Sequence, residues 1–331
     1  MVKKGVFKFT GFMLLVAFFV LAASGGLLAQ EVKFKAVSFL PKGNPTIKAF
    51  EMIVNDFNQK FKGEAFINWA GGPEIIPGFQ LHEAVRSGAI DMCATSCSFY
   101  SAVLHVSHSI MYSNKTHKEI RDSGFFEIFS ELHKKAGFIY LGEMAYGRPF
   151  YMFSNFHPKT PADIVGKKIR VFPAISPLVK ALGAAPVLMA MPEIYTAMER
   201  GVVDGFVMTT IGFVKGFSWH EVTKYMIEPG FYRGSVAWLA NPKKWGKLSK
   251  DLQDRIIAWK YNDFDPKAET FLIKQGDAQR QLVYDSKKTQ VITFSPADNE
   301  AYLKLIYNSA WDKLAKKSPD TAPKLKALLV K

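Results

Sequence analysis

Leu81-His82-Glu83-Ala84-Val85-Arg86-Ser87-Gly88-Ala89-Ile90-Asp91 and Ile194-Tyr195-Thr196-Ala197-Met198-Glu199-Arg200-Gly201-Val202-Val203-Asp204 are one unit written twice. Each is a short helix, a glycine stop, two apolar residues and an aspartate leading into a strand. Gly, Ala and Asp match at fixed offsets. The unit falls once in each half of the chain, which predicts two similar α/β lobes. In open α/β sheets, ligands bind beyond the carboxyl ends of the strands, so the loops after these strands are where a ligand is expected. The competing reading is coincidence, because helix–Gly–strand is a common pattern.

Alternating strands and helices continue on both sides of the unit. Val32 to Val37 alternates like a strand. Asn44-Pro45 can cap a helix that puts Ile47, Phe50, Val54, Phe57 and Phe61 on one face. Phe66 to Trp69 reads as a strand, Leu81 to Arg86 as a helix closed by Gly88, and Ala89 to Cys93 as a strand. Glu119 to Lys135 reads as one helix stopped by Gly137, followed by a strand over Phe138 to Leu141. From Ile169 the order is strand, helix (Leu178–Leu182), strand (Val187–Met189), helix (Glu193–Glu199) and strand (Val202–Val207). This alternation predicts α/β layering with largely parallel sheets. A long helix is expected over Lys250 to Gln281, kinked near Asp265-Pro266, and a mostly helical tail over Ala297 to Leu329.

The amino terminus and the composition bound the compartment. Lys3, Lys4 and Lys8 precede the uncharged run Phe12 to Ala23, and small residues follow up to Ala29. That is the layout of a secretory signal peptide, with cleavage expected after Ala29. The apolar run is short of the ~20 residues that span a bilayer; an uncleaved anchor is the alternative. The 331 residues fit about two domains, and 48% hydrophobic content supports real cores. The formal net charge is +14, and losing Lys3, Lys4 and Lys8 leaves the mature chain basic. In an exported protein this biases toward anionic solutes or membrane surfaces rather than nucleic acid.

Catalytic signatures are missing. The chain holds no G-x-S-x-G elbow, no phosphate loop and no G-x-G-x-x-G turn. His82-Glu83 and His220-Glu221 begin like a zincin motif, but Arg86 and Lys224 stand where the second histidine belongs. His105 and His108 lack nearby carboxylates or thiols and read as surface or packed residues. Two cysteines exclude a disulfide scaffold. Cys93 and Cys97 could pair in an oxidising compartment; the strand-to-loop location favours buried free thiols.

Lys159-Thr160-Pro161-Ala162-Asp163-Ile164-Val165-Gly166-Lys167-Lys168-Ile169-Arg170-Val171 resembles the hallmark of the solute-binding proteins of tripartite ATP-independent periplasmic (TRAP) transporters. Ala181 to Val187, Pro192 to Met198, Gly201 to Gly205 and Gly88 to Met92 match the same family. The stretches Trp69 to Gly78 and Glu228 to Tyr232 look closest to the branch that includes 2-oxo-acid binders. The resemblance implies a periplasmic two-lobed binding protein with a ligand cleft between the lobes. A long helix would span both. The function implied is capture of an organic acid anion and delivery to membrane permease subunits, with no enzymatic activity. The expected partition is a signal segment at 1–29, lobe 1 mainly over 30–145, lobe 2 mainly over 146–240, and the spanning helix with the tail over 241–331. Some relatives exchange the tail helix in a dimer; the resemblance fits a monomer or such a dimer.

The resemblance also implies site residues. The Arg of the K-x-R-V position, here Arg170, holds the substrate carboxylate in this family. The physics agrees, because a buried carboxylate needs a charged partner and Arg offers a planar fork that stays protonated. Arg148 resembles a second polar contact; a structural ion pair is its alternative. Glu74 sits in the stretch shared with the 2-oxo-acid branch. Some of those relatives hold sodium with a Glu after the strand that begins at Asp204. Here Val207 falls there and cannot ligate a cation, so no metal and no cofactor is expected.

The remaining candidate contacts are apolar or weakly polar: Phe39, Phe99, Tyr100, Phe150, Phe172, Met208, Phe231 and Tyr232, with Ser96, Thr209 and Thr210. So apolar a cleft suits an aromatic or bulky apolar carboxylate better than a sugar acid, whose buried hydroxyls each cost about 1–3 kcal/mol if unpaired. Short 2-oxo acids and C4-dicarboxylates are the alternative solutes. A sensor input module is disfavoured by the lack of a downstream membrane span. A secreted enzyme acting on a carboxylate is the rival of another class, weakened by the missing nucleophile–base pair.

Overall fold

The computed structural model describes residues 30–210 and 217–331; the expected signal segment lies outside the described residues. Chain order is β1 (Val32–Ser38), α1 (Lys48–Lys60), β2 (Ala65–Gly71), α2 (Leu81–Ser87), β3 (Met92–Ser96), α3 (His117–Arg121), α4 (Phe125–Lys135) and β4 (Ile139–Ser154). Then come β5 (Lys168–Val171), α5 (Ser176–Ala181), β6 (Ala185–Leu188), α6 (Ile194–Glu199), β7 (Gly205–Met208), β8 (Tyr225–Ala240) and α7 (Pro242–Trp245). The chain ends with α8 (Lys250–Trp259), α9 (Asp265–Asp285), β9 (Gln290–Thr293), α10 (Pro296–Lys317) and α11 (Ala322–Leu329).

The strands form one sheet in the order β2-β1-β3-β8-β4-β7-β5-β6, with β9 on β8. The order reads as a mirror: β1 pairs in parallel with β2 and β3, and β5 pairs in parallel with β6 and β7. β3 lies antiparallel to β8, as β7 does to β4. The repeated unit of the sequence is the chemical core of this mirror. Asp91 accepts the Lys35 N–H at 2.8 Å and donates its own N–H to the Lys35 carbonyl at 2.9 Å. Asp204 does the same to Lys168, at 2.7 and 2.8 Å. Each aspartate thus ties the entry of β3 or β7 to its parallel neighbour. Gly88 and Gly201 close the preceding helical turns with φ of 83° and 65°, where a Cβ would be strained.

β4 and β8 are each 16 residues long and cross from one lobe to the other. Only Phe138 to Leu141 was expected as strand in the first of them, because Gly142, Gly147 and Pro149 read as breakers. The ladder instead absorbs them as irregularities, with Tyr146 opposite Ser235, Pro149 opposite Arg233, and Phe150 opposite Phe231. Val236–Ala240, which the expected partition gives to lobe 2, pairs with β3 in the first half of the sheet.

The helices follow the apolar pattern with two differences, and one strand starts later than expected. Ile47, Phe50, Val54, Phe57 and Phe61 are all buried, a face that stabilises by about 1.5–3 kcal/mol per side chain. The Asn44 side chain accepts the Thr46 N–H at 2.9 Å at the start of this segment. The single helix expected over Glu119 to Lys135 is two. Thr116 and Glu119 form a capping box that starts α3 early, and Gly124 (φ 78°) separates it from α4. The strand expected over Ala89 to Cys93 begins only at Met92, because Ala89 and Ile90 follow the left-handed Gly88 and Asp91 makes the tie to Lys35. The kink expected at Asp265-Pro266 is a π-helical turn over Lys260–Phe264. A wider turn relieves the clash between the proline ring and the carbonyl four residues back.

Helices α8 and α9, joined by that turn, span both lobes. Arg255 pairs with Glu64 at 2.7 Å and Trp259 Nε1 donates to Asp56 at 3.0 Å, both on the first lobe. Farther on, the Tyr284 hydroxyl donates to Glu228 at 2.7 Å on the second lobe. The tail then returns to the first lobe, where the Ser113 hydroxyl donates to the Leu329 carbonyl at 2.6 Å.

Candidate ligand-binding site

The carboxyl ends of four parallel strands converge on one cavity of about 330 Å³. Phe39 follows β1, Ser96 ends β3, Phe172 follows β5 and Thr209 follows β7, and all four line it. This is the crevice position expected for an α/β sheet, supplied here by both lobes. The size is at the lower end of small-molecule pockets.

Arg170 is 3% exposed, in the third position of β5. Its Nε and Nη2 both donate to the Met189 carbonyl, at 3.1 and 2.8 Å. That grip fixes the plane of the guanidinium. Nη1 is buried and has no partner. Burial pushes its pKa down to about 9, with the charge of Glu193 working against the shift. Arg148, on β4, lines the same cavity; its Nη2 donates to the Gln275 side chain, and its Nε is buried without a partner. Burial lowers it to about 10. Both remain charged near neutral pH. Among the described lining residues there is no carboxylate. Two desolvated cations facing a cavity with no carboxylate in its described lining favour an anion there.

The rest of the wall is apolar. Phe39 meets Phe99 edge-on at 5.8 Å between centroids, and Phe79 lies 4.2 Å from Phe99. Across the cleft Phe150 and Phe172 pair at 5.2 Å. Met111, Met191 and Met208 add polarisable thioethers. Polar atoms are few. The Thr46 hydroxyl is buried with no partner, and the Ser235 hydroxyl donates to buried Glu143. Ser96 shares a 3.0 Å hydrogen bond with Ser98.

Of the sequence-derived candidates, Phe39, Ser96, Arg148, Phe150, Arg170, Phe172, Met208 and Thr209 line the cavity, and so does Phe99. Five do not. Glu74 is exposed and accepts the Gly72 N–H at 2.6 Å, a bond that lowers its pKa and shapes the loop carrying Pro73 and Pro77. Tyr100 points into the core, its hydroxyl 2.9 Å from His133 Nε2. Thr210 faces a different cavity, under α9. Phe231 packs near Tyr302 and Tyr232 near Tyr112, because consecutive residues of β8 bury into the core on either side of it. Cys93 and Cys97 are buried free thiols.

Sequence reasoning missed Thr46, Phe79, Met111, Met191 and Ser235. The strand-end rule points toward Met191, which comes three residues after β6 ends at Leu188, in the loop equivalent to the one that carries Phe172. Ser235 carried no signal, since it lies inside a strand that the glycines and prolines concealed.

The fold and the anion-binding crevice define a two-lobed extracytoplasmic solute receptor. Residues 36–318 match the family described as bacterial extracellular solute-binding protein, family 7, and the chain belongs to that family. A solute-binding protein of Roseobacter denitrificans is 27% identical over 252 residues, covering 71% of this chain and 74% of that one. The C4-dicarboxylate-binding periplasmic protein DctP of Rhodobacter capsulatus is 27% identical over 205 residues, 55% of this chain and 61% of that one. A TRAP periplasmic solute-binding protein from Desulfovibrio salexigens, solved with orotic acid, superposes with a TM-score of 0.77 at 19% identity, covering 90% of this chain and 97% of that one. The chain is therefore a TRAP-type receptor for organic acids and not an enzyme.

Proposed function

We propose that the receptor works in the periplasm after removal of its signal segment, and that its solute is an aromatic or bulky apolar carboxylate passed on to permease subunits in the membrane. The observation that carries this reading is the pairing of buried, unpartnered Arg170 Nη1 with a wall of phenylalanine rings from both lobes. The carboxylate bonds to Nη1, and the flat body of the solute lies between the ring clusters Phe39–Phe99 and Phe150–Phe172. Each aromatic contact adds about 0.5–1.5 kcal/mol beyond area burial. Arg148 takes a second oxygen of the solute. The orotic acid held by the Desulfovibrio receptor is itself a flat ring carboxylate, which supports the reading.

Calorimetry with an indolyl- or aryl-substituted carboxylic acid, pyruvate and succinate tests it. Tight binding of the aromatic acid is expected. Tight binding of pyruvate or succinate with no response to the aromatic acid would overturn the solute assignment and leave the receptor class untouched.

A further inference from the structure

Arg148 is a wall between two cavities. On its far side lies a second space of about 260 Å³, enclosed by the middle of β4, β8 and helix α9. Three guanidiniums line it, one from each element: Arg148, Arg233 and Arg280. None has a carboxylate partner among the described residues. Arg148 bonds to the Gln275 amide, Arg233 donates to the Gly147 carbonyl at 3.1 Å, and Arg280 lies near the Tyr151 hydroxyl and stacks 5.7 Å from the Tyr284 ring. The lone carboxylate in the lining is Asp277, which is exposed and unpaired. Thr210 and Tyr151 add hydroxyls.

Three guanidiniums stand against Asp277 in the lining and Glu228 beside Arg280, which leaves a local excess of one positive charge among the described residues. An oxyanion seated among the three guanidiniums would balance that excess. Guanidinium forks and hydroxyls suit oxygens held at tetrahedral spacing rather than a bare halide. We propose that this cavity is a second anion site, separate from the solute cleft, that takes a small divalent oxyanion of the phosphate or sulfate type. The bound ion ties α9 to the two strands at the point where they cross between lobes.

The test uses inorganic phosphate as probe, with sodium chloride at matched ionic strength as control. Phosphate raises the melting temperature of the wild-type receptor above the chloride control, since a ligand that binds only the folded state stabilises it. Arg280→Gln alters an exposed residue outside the solute cleft and weakens phosphate binding by roughly tenfold or more, because one charge-assisted fork is gone. Arg233→Gln does the same. Arg170→Ala, in the solute cleft, leaves phosphate binding intact. Equal stabilisation by chloride, unchanged phosphate binding in Arg280→Gln and Arg233→Gln, or its loss in Arg170→Ala would each overturn the proposal.

Discussion

Lys260 Nζ donates to the backbone carbonyl of Glu143 at 2.8 Å, so the π-turn of the spanning helix is fastened to the strand that crosses between lobes. The same ammonium pairs with the Asp265 carboxylate, and both side chains are almost completely buried. Glu143 in turn gathers donors from three elements: Tyr140 at 2.5 Å, Cys97 at 3.3 Å, and Ser235, which lines the solute cavity. Desolvation pushes Glu143 and Asp265 upward, against the pull of these partners. A buried pair of this kind contributes most visibly when one half is removed.

Lys260→Met is accordingly expected to destabilise the receptor by about 3–5 kcal/mol, because Asp265 and the Glu143 carbonyl lose their donor. Adding Asp265→Leu to the same variant should restore part of the loss. Denaturant midpoints measure both; a double variant less stable than the single one would contradict the account.

Arg170→Ala should leave the unliganded protein as stable as wild type or more so, since a desolvated cation with no ion-pair partner disappears. Binding of the preferred acid should fall by about 2–5 kcal/mol. Arg170→Lys should also bind poorly, because an ammonium cannot both hold the Met189 carbonyl as a fork and reach the solute. Near-native affinity in either variant, by calorimetry, sinks the role given to this residue.

Solute affinity should be indifferent to metal ions. Val207 is fully buried in β7, where sodium-using relatives were expected to place a Glu. Titrations with chelator, and with sodium replaced by a bulky organic cation, should match the standard ones. A large loss without sodium refutes the expectation.

Gly72→Ala should damage both stability and binding. A Cβ there would stand 2.6 Å from the Leu40 carbonyl and 2.7 Å from Pro41 Cα, both backbone atoms that cannot swing away. The cost is about 1–3 kcal/mol, and the strain falls on Leu40 and Pro73, which line the cavity. A shift in denaturant midpoint with unchanged slope, together with weaker solute binding, is the expected pair of results.

Acid should unfold the protein through its histidines. Burial pushes His133 down to about 4, and His108 and His117 to about 3. In the unfolded chain they titrate near 6.5. As pH falls through 6.5 the unfolded state takes protons that the folded state refuses, so stability declines from there to about pH 3–4. For His133 alone this is on the order of 3 kcal/mol. Glu143 and Asp265, raised in the fold, act in the opposite sense and gain stability as pH falls through their folded values. His82, lowered by burial as well, makes four groups against two, and a net fall in melting temperature below pH 6.5 is expected. Imidazole NMR resonances check the premise: a His133 ring titrating near 6.5 would refute it.

The lobes and the buried arginine of the cavity lining were legible because their signals are local. Asp91 and Asp204 carry the repeat, and the Lys168-Ile169-Arg170-Val171 run marks the strand that holds the guanidinium. What escaped depends on distant pairing. Nothing near Ser235 says that Glu143 orients it, and Pro229-Gly230 hides one of the two longest strands from any periodicity rule. Tyr100, Phe231 and Tyr232 were placed in the cleft for being aromatic, yet aromatic rings fill cores as readily as they line pockets. Adjacency to a strand's carboxyl end marks Phe39 and Phe172, whereas Phe231 and Tyr232 lie inside β8; Phe150 lines the cavity from inside β4, where only the pairing with β8 places it.

The two crossing strands make each lobe a patchwork of the gene. The first lobe takes residues from before Tyr146, from Val236–Ala240 and from the returning tail; the second takes the segment between, together with β9. No single cut of the coding sequence releases either half whole. A truncated fragment ending near Tyr146 would present β3 and the first part of β4 as bare edges, lacking their shared neighbour β8, and such edges recruit other chains. Expressed pieces of this receptor should therefore precipitate, and co-expression of complementary pieces should rescue them only when one piece carries β8 entire.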